Sequence, residues 1–300
     1  MSSEIKYWNR HDRREETEKV YGDAFVRWLY GTRKGQIVSD ALLSRHVVSR
    51  AYGAYQSSRL SAHKVAPFIE EFKIPMEQYE PGPFRSFNDF FIRRFRPGQR
   101  PIASDPKELA AFAEARYLAY RTITPTQKFP VKGEYLTAEA LLGDAEKAKP
   151  FHGGPLLLAR LCPVDYHRFH FPDDGRALEN YAIRGALHSV NPLALRYKSE
   201  IFATNERAVS ILETRSFGKL AYIEVGAMMV GLIVQSHPSA KNPKGGEFKR
   251  GEEKGYFLFG ASTVIVLGEP GAWTPSQDLL ENTARDREVL VRLGEPLAKS

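Results

Sequence analysis

From Pro106 onward the chain is written in short runs of apolar and β-branched residues separated by turn residues: ARYLAYRTI, PLLLARLCP, ERAVSILET, KLAYIEVGAMMVGLIVQS and GYFLFGASTVIVL. Runs of this length, bounded by Gly, Pro, Asn and Asp, predict β-strands. Helical spacing in this half is confined to residues 137–149 and to a charged segment at 276–293. No repeat of fixed period occurs. Strands do not alternate with helices around a glycine-rich phosphate loop, which argues against the doubly wound nucleotide-binding folds.

The first 80 residues have a different texture and read as helical. Val20, Tyr21, Ala24, Phe25, Trp28 and Leu29 recur at i, i+3, i+4, with Arg10, Arg13, Arg14, Lys19 and Arg27 nearby. Such a helix either packs on its own domain or lies on an anionic bilayer. Leu42, Leu43, Val47, Val48, Tyr52 and Tyr55 extend the pattern over residues 39–61, and a third stretch, 61–72, places Ser61 as its N-cap. The prolines and glycine of EQYEPGPFRS mark a linker. Beyond it Phe87, Phe90, Phe91 and Phe95 keep helical spacing, while Arg93, Arg94, Arg96 and Arg100 face elsewhere, toward solvent or a phosphate. The expected fold is α+β: a helical N-terminal region over residues 1–105, then a mainly antiparallel β-rich catalytic domain over 106–300.

The densest chemistry is at Gly255 to Leu267. Two apolar runs meet at Gly260, Ala261, Ser262 and Thr263, four small residues that form either an ordinary hairpin turn or a crowded corner where a serine hydroxyl is pressed against the preceding carbonyl. A serine needs a base, itself oriented by a third group. DYHRFH offers one. Asp165 and His167 fall on one face of a regular strand and His170 on the other. The same histidines also read as structural, or as a metal pair lacking a third ligand at familiar spacing. His188, Ser189 and Asn191 in HSVNP form either a capped turn or a carboxylate or phosphate contact.

The single cysteine, Cys162, precludes an internal disulfide, and its apolar setting favours an inert buried thiol. The net charge of +7 favours anionic partners such as acidic lipid surfaces. RNA-binding sheet signatures and zinc-finger spacing are missing, so nucleic acid is not an expected partner. No apolar run reaches the ~20 residues of a membrane span. The start, MSSEIKYWNRHDRREETEKV, has no signal-peptide core, so an intracellular protein is expected.

Several of these segments resemble, in order, blocks of the pyruvoyl-dependent phosphatidylserine decarboxylases, in particular the longer bacterial branch. They are FNDFFIRRFRPGQRPI, KGEYLTAEALLG, LCPVDYHRFHFPDDG, HSVNP and the 255–267 stretch, where the family usually carries GGST or LGST; the likeness is nearly continuous from Phe87 to Leu267. The resemblance implies autocatalytic cleavage between Ala261 and Ser262, conversion of Ser262 to a covalent pyruvoyl group, and decarboxylation of phosphatidylserine to phosphatidylethanolamine. It assigns His170 to activation of Ser262 and His167 to proton donation in turnover. The aspartate that would assist His170 is replaced: the aligned stretch AFAEARYLAY places Glu114 there. The glutamate keeps the charge on one more methylene, which leaves open an uncleaved, non-catalytic lipid-binding homologue. A member acting on a soluble amino acid is a further alternative, and a serine hydrolase using Ser262 is disfavoured by the lack of a GxSxG elbow. The implied partners are phosphatidylserine, an anionic membrane contacted peripherally on its cytoplasmic face, the two self-cleaved chains for one another, and a second copy in a homodimer. No metal is expected.

Overall fold

The structure is a computed structural model that describes residues 5–19, 21–39, 46–123, 137–190, 194–195, 201–227, 232–260 and 262–300. Its centre is a ten-stranded sheet. In spatial order the strands are Gly246–Phe248, Gly175–Ile183, Arg207–Thr214, Lys219–Val225, Ser262–Gly268, Leu156–Leu161, Ala115–Tyr120, Glu288–Val291, Lys6–Asn9 and Arg14–Thr17. Every pairing is antiparallel except that of Lys6–Asn9 with Glu288–Val291. A smaller sheet of Ile233–Gln235, Glu253–Phe257 and Arg168–His170 packs against it. The α+β expectation therefore holds.

Side chains alternate across a strand, so a central strand buried on both faces needs an unbroken apolar run. Leu156–Leu161 and Ser262–Gly268 come close to such runs and are buried at every position, the exceptions to apolarity being Arg160 in the first and Ser262 and Thr263 in the second. Leu156, Leu158, Ile223, Val225, Ile265 and Leu267 point to one face, toward Leu141, Leu142, Phe151 and Phe202. Leu157, Ala159, Tyr222, Val264 and Val266 point to the other, toward Phe169, Phe171, Phe257 and Leu279. A third cluster joins the helical N-terminal part to the sheets: Phe68, Phe87, Phe90 and Phe91 pack with Tyr79, Tyr166 and Phe259. Each such ring contributes roughly 1.5–3 kcal/mol when removed from water.

Several local expectations are corrected. Residues 6–17 form a hairpin rather than a helix, because Tyr7 and Asn9 alternate inward and no helical apolar stripe precedes Tyr21. Ser61 is no N-cap. It lies inside the 3-10 helix Arg59–Lys64, donating its hydroxyl to the Gln56 and Ser58 carbonyls and accepting from the Phe87 N–H. The helix of the phenylalanine motif is only Phe87–Phe91, capped by Ser86, and the next arginine, Arg93, is buried. Helix 137–149 is split at Gly143, whose φ of +66° ends Ala138–Leu142. In the tail, helix Gln277–Thr283 gives way to strand Glu288–Val291, since Val289 and Val291 alternate inward beside Ala115–Tyr120. Of the stretch at 39–61, residues 40–45, with Leu42 and Leu43, lie outside the described residues; from His46 it is helix to Ser57.

Candidate active site

The corner between Glu253–Phe257 and Ser262–Gly268 lies where the small sheet, the large sheet and the aromatic cluster meet. Phe259 is anchored by its ring, which packs 5.0 Å from Phe87 and from Phe91, and by its N–H, which donates to Asn88 Oδ1 at 2.7 Å. Asn88 in turn donates to Ser57 Oγ at 2.9 Å. The FNDFF motif is thereby explained: two phenylalanines and the asparagine set the entry to the corner. Gly260 follows with φ +144°, a backbone region costly for any residue with a side chain. Ala261 lies outside the described residues. Ser262 then enters the large sheet opposite Leu161, fully buried, and its Oγ has no hydrogen-bond partner among the described residues. A buried hydroxyl left without a partner costs about 1–3 kcal/mol of uncompensated desolvation.

His167 is the histidine set at this corner. Its ring is fully buried and packs 3.8 Å from the Phe91 ring. Nδ1 lies 3.0 Å from the Asp165 carbonyl oxygen. A carbonyl only accepts, so in the neutral ring Nδ1 carries the proton and Nε2 the lone pair; among the described residues Nε2 has no hydrogen-bond partner at ordinary distance and angle, and the Gly260 backbone acts on the ring from beyond that geometry. Burial pushes the ring down to about 3; the Asp165 and Gly260 backbones pull the other way without overcoming it. The imidazole is therefore neutral near pH 7, its basic nitrogen unprotonated.

The other candidates lie outside this contact set. His170 is two strand positions from Arg168, with Nδ1 at 2.9 Å from the Gly251 carbonyl and Nε2 at 3.3 Å from the Tyr166 hydroxyl. Burial lowers its pKa too, and the Gly251 carbonyl fixes the same Nδ1–H form. Glu114 is held by Arg100 through Nε at 2.5 Å and Nη2 at 2.8 Å, and its described side-chain bonds go to Arg100 and the Leu293 N–H. Neither His170 nor Glu114 touches Ser262 in the described contacts. His188 and Ser189 are buried beside Asn205, which accepts from the His188 N–H and donates to the His188 and Gly226 carbonyls. Gly226 follows Val225, the partner of Thr263, so this segment stands one strand from the corner. Asn191 lies outside the described residues.

Two features escaped sequence reasoning. Glu224 and Lys254 are both fully buried and paired at 2.5 Å, with Gln235 bonded to each. Glu224 is the register partner of Val264, two residues from Ser262, so its side chain shares the face to which Ser262 points. Arg116 and Arg160, register partners, are both buried and converge on Glu18. An alternating strand gives no hint that its inward positions are charged until the partner strand is known. Cys162 is buried, and burial raises its thiol well above the usual range, as expected of an inert thiol.

Among the described residues no helix is long and apolar enough to cross a membrane and no cluster of His, Cys, Asp and Glu has the makings of a metal site. The family model for phosphatidylserine decarboxylase matches residues 87–299. The chain is similar to proteins named phosphatidylserine decarboxylase proenzyme from Clostridium kluyveri (38% identical, covering 98% of both chains) and Fusobacterium nucleatum (38%, 97% of this chain and 96% of the other). It is likewise similar to one of that name from Chlamydia pneumoniae, at 36% identity over 98% of this chain and 97% of the other. With the family model covering residues 87–299 and relatives of that one name aligned along nearly the whole chain, the protein belongs to the phosphatidylserine decarboxylase family.

Proposed function

We propose that the chain cleaves itself between Ala261 and Ser262 and then decarboxylates phosphatidylserine to phosphatidylethanolamine. The observation that carries this reading is that, among the described residues, Ser262 Oγ is fully buried without a hydrogen-bond partner, as are the neighbouring Thr263 Oγ1 and His167 Nε2. In scission an imidazole takes the Ser262 proton while Oγ attacks the Ala261 carbonyl, exchanging amide for ester. Elimination then releases residues 1–261 with a terminal carboxylate. The dehydroalanine left at 262 takes up water and loses ammonia, which gives the pyruvoyl group. Exclusion of water from fully buried Ser262 protects the ester from plain hydrolysis.

The residues present fit such a group: among the described residues Ser262 Oγ makes no hydrogen bond, so its departure with the Ala261 carboxylate breaks none, and the ketone oxygen is supplied by the water that replaces ammonia. Once formed, the pyruvoyl group supplies a carbonyl that binds the substrate amine and accepts the electrons released as carbon dioxide leaves. His167, neutral with Nε2 free, can take the proton of the incoming ammonium and return it to the substrate carbon. Both histidines hold Nε2 as a lone pair. The resemblance assigns the scission step to His170, whereas His167 is the ring whose protonation is influenced by the Gly260 backbone. His188, Ser189 and Asn191 are proposed to help place the head group.

A peripheral position on the cytoplasmic face of an anionic membrane is supported by exposed Phe25, Trp28, Ile37 and Leu60 in the basic N-terminal part. The second reading, an uncleaved lipid-binding homologue, is favoured by the commitment of Glu114 to Arg100. Intact mass separates them. The proposed enzyme yields ~29 kDa and ~4 kDa chains in proportion to residues 1–261 and 262–300 of 33.9 kDa, the smaller one trapped by a hydrazine. A chain of full mass that ignores hydrazine overturns the proposal.

A further inference from the structure

We infer that Arg116, acting through Asp165, and Arg93 are positioning residues that hold His167 as its Nδ1–H tautomer and leave Nε2 bare at the Gly260–Ser262 corner. The inference rests on the proposed role of residue 262 as the reacting centre.

His167 is reached through a tight turn. The Asp165 N–H donates to the Cys162 carbonyl at 2.8 Å, and Asp165 Oδ2 accepts from the Cys162 N–H at 2.7 Å. The same oxygen accepts from Arg116 Nη1 at 2.6 Å. Arg116 is itself fixed: its Nε lies 3.1 Å from Glu18 Oε2 and its guanidinium packs 4.5 Å from the Tyr7 ring centroid. Glu18 also accepts from Arg160, which donates to Glu288 as well. Removing so many charges from water costs several kcal/mol per ion, and a well-packed apolar cluster would often be no less stable. What the ionic cluster adds is direction, since the bonds from Arg116 and Cys162 dictate where the Asp165 peptide points.

The far side of that peptide is held by Arg93. Its Nη2 donates to the Val164 carbonyl at 2.8 Å and to the Asp165 carbonyl at 3.3 Å. Its guanidinium lies 4.4 Å from the Tyr79 ring and 4.7 Å from the Phe90 ring. The Asp165 carbonyl is thus aimed from both ends at His167 Nδ1, and Phe91 stacks on the imidazole. The peptide carbonyl plays toward His167 the part that a carboxylate plays in a hydrolase triad: it fixes tautomer and orientation.

The test uses the full-length chain with Ser262→Ala, so that it stays in one piece, and 15N-labelled histidine. Its NMR spectrum should show His167 in a single Nδ1–H form. Adding Arg116→Met should give a mixture of tautomers, and Arg116→Lys should restore part of the single form. On the Ser262 background, Arg116→Met should lower kcat about a hundredfold, the effect of a ~1 Å misplacement, with KM little changed. Should Arg116→Met not fold, Asp165→Asn weakens the same bond with the shape retained, and the same mixture is expected. A merely structural arginine would lower the melting temperature and leave the tautomer intact; that result overturns the inference. The tautomer comparison stands whether or not the wild type cleaves, so failure of the functional reading shows separately, as an uncut, hydrazine-inert protein.

Discussion

Replacing Lys254 by methionine tests whether the polar cluster on the Ser262 face of the sheet is a dehydrated ion pair. Lys254 Nζ sits 2.5 Å from Glu224 Oε1 and 2.9 Å from Gln235 Oε1, over the Tyr222 and Phe169 rings, with both charged side chains fully buried. Methionine is nearly as long as lysine, so little cavity opens and the main loss is the charge. A buried carboxylate stripped of its partner costs about 3–5 kcal/mol. Burial already raises Glu224 above the usual carboxylate range, and the attraction of Lys254 is the largest influence in the other direction. In the variant the folded-state pKa therefore rises further, while the unfolded value stays near ~4.3. Between those two values the folded chain holds a proton that the unfolded chain has released, so stability falls as pH rises through that window. Urea unfolding of the uncut Ser262→Ala chain, with and without Lys254→Met, should show a small loss at about pH 5 and most of the ~3–5 kcal/mol at about pH 8. Lys254→Met with Glu224→Met should recover more than half of it. A loss below about 1 kcal/mol, or one equal at the two pH values, would refute the dehydrated pair.

After scission the two chains should co-elute in native size-exclusion chromatography and part only in denaturant. The 262–300 piece supplies a strand between Lys219–Val225 and Leu156–Leu161 and another between Ala115–Tyr120 and Lys6–Asn9, so a free ~4 kDa peptide under native conditions would contradict the described sheet. His170→Ala should slow scission at least about a hundredfold and His167→Ala should still cut but lose about as much turnover; the reverse pattern on a time-course gel moves the scission base to His167. Glu114→Gln should cost about 1–3 kcal/mol by weakening the bidentate bond to Arg100, with scission retained. Arrested scission would instead make Glu114 the assisting acid that the family resemblance implies.

Long apolar runs were the most legible part of the sequence. ARYLAY, LLLARL and STVIVL are all strands, because a run that is apolar at nearly every position and buried on both faces has few other stable fates, even with Arg116 and Arg160 inside it. Edges and short elements were not. KYWN and EVLV are four-residue strands whose pairing with each other spans nearly the full chain, and nothing local announces a partner so far away. The serine, both histidines and the glycine corner were legible as residue types in a recognisable order. Their grouping was not: strand periodicity places Asp165 and His167 on one face of a strand that in fact begins only at Arg168.

The sequence by itself determined the α+β class, the central strands and the small-residue corner with its serine, since apolar periodicity and side-chain size act over a few residues. Only the tertiary structure decided that His167 is the imidazole packed on Phe91 beside the corner, that Glu114 is tied to Arg100, and that Lys254 meets Glu224 on the face shared with Ser262. Those relations depend on which strand lies beside which. Burial then converts that adjacency into chemistry, by removing the water that would otherwise hydrate each charge and each lone pair.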